Sequence, residues 1–161
     1  MRHRQTPVDW SGQFDLAYKK LSSRLSSGLL AAILGNRGTG KTQLACELVR
    51  KSAYELRTAL YIRAFDLFDE MLKDGSDTRQ RVKSSHLLVI DELAVRNEAK
   101  WNDNLLSHIV DTRYASSLDT ILISNQTEQT FISAVGTSIA SRLSECGGIL
   151  ELTGKSRREA R

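Results

Sequence analysis

Five short apolar runs alternate along the chain with segments in which apolar residues recur every three or four positions. The runs are residues 29–34, 59–63, 87–91, 120–125 and 149–153. Each has the length and the mostly apolar composition of a buried strand. Helical spacing follows in the intervening segments, as in Leu105, Ile109 and Val110. This alternation predicts crossover connections and an α/β fold, with a five-stranded parallel sheet flanked by helices.

An amphipathic helix is predicted ahead of the first strand. Phe14, Leu21 and Leu25 recur at helical spacing before Gly28, so we expect a helix over about residues 11–26. We therefore divide the chain into an amino-terminal helical segment, residues 1–28, and one globular domain, residues 29–161. Glycines predict surface turns at residues 75–77 and 147–148.

Composition excludes few kinds of protein. The 161 residues are 40% hydrophobic, which suits one domain with a single core. A net charge of +4 leaves an anionic polymer open as a partner. Cys46 and Cys146 lack the spacing of a zinc site or a disulfide framework. No apolar run is long enough for a signal peptide or a membrane span, so we expect a cytoplasmic protein without membrane contact.

The segment GNRGTGKT, residues 35–42, follows the first predicted strand and opens a helical segment. It matches the phosphate-binding pattern G-x-x-x-x-G-K-[ST]. Its glycines allow tight turns that present N–H groups to phosphate oxygens, and the helix N-terminus adds its positive end. Lys41 is expected to reach the β and γ phosphates, and the Thr42 hydroxyl to ligate magnesium. The predicted nucleotide-binding residues are Gly35, Asn36, Arg37, Gly38, Thr39, Gly40, Lys41, Thr42 and Gln43.

The run HLLVIDE, residues 86–92, predicts a buried strand that ends in two acids. Ligands of parallel sheets gather at the carboxyl ends of the strands, so Asp91 is expected beside Thr42. There Asp91 would hold Mg²⁺ and Glu92 would polarise an attacking water as a general base. The alternative is a solvated acidic turn. Residues 124–127 (SNQT) lack the Lys and Asp of a guanine-reading N-K-x-D motif, which favours ATP as the nucleotide.

Taken together, GNRGTGKT, LLVIDE, ILISNQ and SRL resemble in order and spacing the motifs of AAA+ ATPases. Within that superfamily the chain is most similar to the DnaC-type helicase loaders and the IstB-type transposition helpers. The resemblance covers about residues 28–158. It implies a P-loop NTPase core without a separate lid domain, with residues 29–161 as an AAA+ domain that binds and hydrolyses ATP at its Walker A and Walker B motifs.

The resemblance also assigns roles to single positions beyond these motifs. Asn125 matches the polar sensor that orients the attacking water, and its alternative is a turn-forming Asn. Arg142 matches an arginine finger that reaches the nucleotide of a neighbouring subunit, and its alternative is a surface arginine. Arg158 matches a second sensor arginine. Lys100 and Trp101 lie where relatives contact single-stranded DNA, although Trp101 would also suit packing on the helix that follows.

An arginine finger supplied in trans implies that hydrolysis depends on assembly into a homo-oligomeric ring or spiral. The leading hypothesis is therefore a loader-type ATPase that assembles with a replicative helicase, with single-stranded DNA, or with both. A related hypothesis makes the chain a helper that delivers a transposase to DNA. Two further alternatives are an ATP-dependent adaptor with little turnover and a small-molecule or nucleotide kinase, but the kinase would need an arginine-rich lid that the sequence does not show.

Overall fold

The computed structural model describes residues 12–73, 76–93 and 100–154. Within them, one parallel sheet contains all five predicted strands. The strands are β1 (Leu30–Leu34), β2 (Ala59–Arg63), β3 (Leu87–Asp91), β4 (Asp119–Ile123) and β5 (Gly148–Glu151). They lie in the order β2-β3-β4-β1-β5. The structure confirms the predicted α/β class and the parallel sheet.

Helices connect the strands and cover both faces of the sheet. The helices are α1 (Gln13–Ser22), α2 (Lys41–Tyr54), α3 (Ala64–Leu72), α4 (Ser76–Ser84), α5 (Lys100–Ala115) and α6 (Glu128–Cys146). Alternate residues of each strand enter two separate cores, as the two-residue period of a strand requires. One core packs the sheet against α1 and α2, and the other packs it against the remaining helices.

Two local predictions, one helix boundary and one turn, need correction. The first helix ends at Ser22 instead of continuing to about residue 26. The backbone N–H of Ser26 donates to the Asp119 carboxylate, and Leu29 N donates to the same group at 2.9 Å, so the chain turns early into β1. The predicted turn at residues 75–77 overlaps α4, which begins at Ser76. Only Thr78 and Val82 of this helix are buried, so its apolar periodicity is weak.

The strand order decides which loops can meet. β4 lies between β3 and β1, and all three strands run in the same direction. The loop after β1, the acids at the end of β3 and the polar residues after β4 therefore share one edge of the sheet. No helix among the described residues is both long enough and apolar enough to cross a membrane.

Candidate nucleotide-binding site

The loop between β1 and α2 has the backbone of a phosphate-binding loop. Gly35, Gly38 and Gly40 have φ angles of 134°, 84° and 98°, which L side chains rarely adopt. Gly35 is also required on steric grounds, because a Cβ there would lie 2.1 Å from the carbonyl oxygen of Leu152. Among the described residues, no side chain caps the start of α2. The N–H groups of its first turn are therefore available to an anion.

Lys41 lies inside this loop. Its Nζ donates to Gly35 O at 2.6 Å and to Asn36 O at 2.7 Å, and the residue is 5% exposed. Burial lowers the pKa of Lys41, and the negative charge of Asp91 opposes that shift. Thr39 Oγ1 also donates to Asn36 O, at 3.0 Å. The ammonium group is thus enclosed by the loop in which a phosphate would sit.

The other predicted loop residues differ in their exposure. Asn36 and Arg37 are exposed at the tip of the loop, where they could contact a ligand from outside. Gln43 is half-buried in the first turn of α2, and its Nε2 donates to Glu47 Oε1 at 3.4 Å. The structure therefore brings the glycines, Lys41 and Thr42 together in one cradle and leaves Arg37 at its rim.

Asp91 lies directly beside Thr42, as the sequence predicts. Thr42 Oγ1 donates to Asp91 Oδ2 at 2.8 Å, and the backbone N–H of Glu92 donates to Oδ1 at 2.6 Å. Asp91 is 3% exposed, so a buried carboxylate faces the start of α2. A hydroxyl and a carboxylate are the hard oxygen donors that Mg²⁺ prefers, usually with water and nucleotide phosphates as its other ligands. These two residues fit a magnesium ion.

Tyr61 is a member of this cluster that sequence reasoning missed. Its hydroxyl donates to Asp91 Oδ2, the same oxygen that accepts from Thr42. Burial, together with the hydrogen bond to Asp91, raises the pKa of Tyr61, so the hydroxyl remains a donor at neutral pH. The sequence does place Tyr61 on β2, two residues before the strand ends. This position predicts a contact with Asp91 only when the pairing of β2 with β3 is known.

Glu92 points away from the core at the end of β3. It is exposed and has a φ angle of +56°, an uncommon conformation for a residue other than glycine. The next residue, Leu93, returns to the interior, where its N–H donates to Ile123 O at 2.8 Å. A hydrogen bond and a charge from Asp66, and more weakly the charge of Glu92, raise the pKa of Arg63. Glu92 is thus an exposed carboxylate at the carboxyl edge of the sheet, near the cation of Arg63.

Asn125 follows β4 and is exposed at the same edge. Its neighbour Ser124 is buried, and the Ser124 hydroxyl donates to Leu93 O at 2.7 Å. This bond ties the end of β4 to the residue after Glu92. Because β4 separates β3 from β1, Asn125 lies between Glu92 and the phosphate-binding loop.

Arg142 lies elsewhere in the fold. α6 begins after the carboxyl end of β4 and leads to the amino end of β5, so Arg142 is nearer the opposite edge of the sheet. Its Nη1 donates to Ser138 O at 3.2 Å and lies 3.0 Å from Asp111 Oδ1. The guanidinium also stacks over the ring of Tyr114, 5.3 Å from its centroid. The structure does not bring Arg142 to the phosphate-binding loop of its own chain.

The remaining predicted residues are Arg158, Lys100 and Trp101. Arg158 lies outside the described residues, as do the side chains of Lys100 and Trp101. For those two residues the backbone is described, and it forms the first turn of α5.

Known proteins resemble this chain in sequence and in fold. The family model of the IstB-like ATP binding proteins matches residues 27–161. The replicative helicase loader DnaC of Escherichia coli strain K12 is 27% identical over 116 residues, which cover 68% of this chain and 47% of that protein. The chain thus spans about half the length of this curated relative.

Solved structures of related fold agree with these sequence matches. The replication initiator DnaA bound to AMPPCP and single-stranded DNA superposes with a TM-score of 0.75 at 26% identity, covering 90% of this chain and 48% of that one. The DnaC helicase loader superposes with a TM-score of 0.73 at 22% identity, covering 86% and 87% of the two chains. At that identity the second likeness establishes the fold alone, which is that of a P-loop AAA+ domain.

Proposed function

The chain belongs to the family of IstB-like ATP binding proteins, and we propose that it binds ATP with Mg²⁺ and hydrolyses the nucleotide when chains assemble. The observation that carries this proposal is the contact of Thr42 with the buried Asp91, directly below a glycine loop that encloses Lys41. A cation, a hydroxyl and a carboxylate in this arrangement support binding of a terminal phosphate together with its metal ion. DnaA, a protein with the same fold, is known bound to the ATP analogue AMPPCP.

Each side chain then has a distinct task. Lys41 exchanges its two carbonyl acceptors for β and γ phosphate oxygens and neutralises their charge. Thr42 and Asp91 hold the magnesium ion, which offsets charge on the phosphates when it is bound. Glu92 accepts a proton from the attacking water, and Asn125 orients that water from the neighbouring strand. The positions of these groups at the carboxyl edge of the sheet support the proposed roles.

Arg142 acts on the nucleotide of a neighbouring chain in this proposal. Its distance from the loop of its own chain, across the length of α6, leaves a second chain as the route by which it can approach a γ phosphate. Asp111 and Tyr114 hold the guanidinium on the surface of its own chain. Transfer of Arg142 from these partners to a phosphate couples turnover to assembly in a ring or spiral.

The relatives support a proposal for the partners of the assembly. The matched protein of Escherichia coli is a replicative helicase loader, and DnaA is known bound to single-stranded DNA. We therefore propose that this chain assembles with single-stranded DNA, with a replicative helicase, or with both. Delivery of a transposase is the second candidate, favoured by the match to the IstB-like family.

Turnover measured against protein concentration tests the enzymatic part of the proposal. We expect ATP turnover per chain to rise with protein concentration and to rise further on addition of a single-stranded oligonucleotide. Glu92→Gln and Arg142→Ala should each abolish turnover and preserve ATP binding. Arg50→Ala is the matched control, because Arg50 is an exposed helical arginine with an ion pair to Glu47.

Mixing the two inactive variants tests the action of Arg142 in trans. In a random one-to-one mixture, roughly a quarter of the interfaces combine an intact Glu92 with an intact Arg142, so activity should return to about that fraction. A mixture that stays inactive would contradict action in trans. Turnover that is independent of concentration and survives Arg142→Ala would instead indicate a monomeric enzyme.

A further inference from the structure

Asp91 accepts three hydrogen bonds from three different parts of the chain. Thr42 Oγ1 and the Tyr61 hydroxyl donate to Oδ2, and the N–H of Glu92 donates to Oδ1. A carboxylate offers about four acceptor positions in total. The contacts that the described residues make therefore leave one position open, on Oδ1. That oxygen is the part of Asp91 that remains for a ligand.

Tyr61 reaches this carboxylate from the neighbouring strand. In the register of β2 and β3, Tyr61 pairs with Val89, and Asp91 lies two residues further along on the same face of the sheet. A diagonal neighbour at this offset is within reach of an aromatic side chain. The ring is half-buried and packs against the core that β2 and β3 share with α2, and the hydroxyl at its end meets the carboxylate.

We propose that Tyr61 is a positioning residue of the proposed magnesium site, because its hydroxyl holds Asp91 Oδ2 and so sets the orientation in which Oδ1 stays open to a ligand. The inference rests on the proposed ATP and Mg²⁺ site and adds to it a residue on β2. Hydrogen-bonded partners of this kind orient metal ligands, and their loss typically lowers metal affinity about ten- to a hundredfold. Without the tyrosine hydroxyl, Thr42 alone would hold Oδ2, and the carboxylate could rotate.

The test uses Tyr61→Phe, which keeps the ring and removes only the hydroxyl. Binding of a fluorescent ATP analogue is measured first in excess EDTA and then during a titration with MgCl₂. We expect the Mg²⁺ concentration at half-effect to rise about tenfold, while the affinity for the analogue in EDTA stays within about twofold of wild type. Tyr54→Phe is the matched control, because Tyr54 is 88% exposed.

A second comparison separates positioning from packing. In the background of Asp91→Asn, which removes the charge, Tyr61→Phe should have no further effect on the Mg²⁺ titration, because Tyr61 acts through Asp91. An unchanged Mg²⁺ midpoint in Tyr61→Phe alone would overturn the inference. So would an equal loss of binding with and without Mg²⁺, which would assign Tyr61 to packing. If wild type itself shows no effect of Mg²⁺ on binding, the proposed metal site fails, and the inference fails with it.

Discussion

Arg113 is the polar side chain whose removal should cost the fold most. It is 1% exposed and donates to three carbonyl oxygens and one hydroxyl. Two of the carbonyls, at 2.5 and 3.0 Å, belong to the last turn of α4 and the residue after it. The carbonyls at the end of a helix lack partners within the helix, so Arg113 supplies donors that α4 cannot provide for itself. The other two acceptors lie at the start of β4.

The substitution Arg113→Met keeps most of the aliphatic length and removes every donor. An acceptor that stays buried without a partner costs about 1 to 3 kcal/mol. Water that enters the space left by the guanidinium can satisfy some of the four acceptors, so the total stays below the sum of four such losses. We therefore expect the free energy of unfolding to fall by about 3 to 5 kcal/mol, a large share of the roughly 5 to 15 kcal/mol of an ordinary domain. Burial lowers the pKa of Arg113 to about 10, so the native side chain is charged at neutral pH.

Urea denaturation followed by far-ultraviolet circular dichroism measures this loss. The control is Arg50→Met, which removes an exposed helical arginine and should change the free energy of unfolding by less than about 1 kcal/mol. If Arg113→Met does not fold, Thr120→Val still tests the network, because it removes the acceptor of Arg113 Nε and should cost about 1 to 3 kcal/mol. A loss below about 1 kcal/mol in Arg113→Met, with an unchanged slope against urea, would refute the reasoning.

Two further substitutions test the site and its coupling to assembly. Gly35→Ala should abolish binding of the fluorescent ATP analogue. The Cβ of the alanine would overlap the carbonyl of Leu152, and the φ of 134° at this position disfavours any side chain. Binding within twofold of wild type would contradict this prediction. Asp111→Ala should lower the protein concentration at half-maximal turnover about two- to fivefold, because the partly exposed ion pair that holds Arg142 is worth up to about 1 kcal/mol. An increase in that concentration would show instead that Asp111 supports the active position of Arg142.

The parts of the site that the sequence predicts are those whose geometry is local. Residues 35–42 form their loop from three closely spaced glycines, and the strand that ends at Asp91 is a continuous apolar run. Their meeting follows from one general property of parallel sheets, that ligands collect at the carboxyl ends of the strands. Thr42 and Asp91 could therefore be placed side by side before their hydrogen bond was seen.

The missed features depend on contacts between distant segments. Tyr61 is separated from Asp91 by 30 positions, and only the pairing of β2 with β3 joins them. Arg113 is a charged residue in a helical segment, a pattern typical of an exposed surface, until α4 and β4 enclose it. The early end of α1 has the same kind of cause, since the N–H of Ser26 donates to the carboxylate of Asp119, which is 93 positions away. Local patterns carry no information on such partners.

The two parts of the proposed machinery are held by contacts of different strength. Asp91 and Lys41 are buried and make short hydrogen bonds inside the fold, so one chain suffices to form the nucleotide pocket. Arg142 is held by a partly exposed carboxylate, an aromatic ring and hydrogen bonds to Ser138 on its own helix, surface contacts that are each worth little and are readily exchanged. ATP binding should therefore be independent of protein concentration, whereas turnover should depend on it. A site that binds alone but reacts only beside a second chain makes assembly the event that controls hydrolysis.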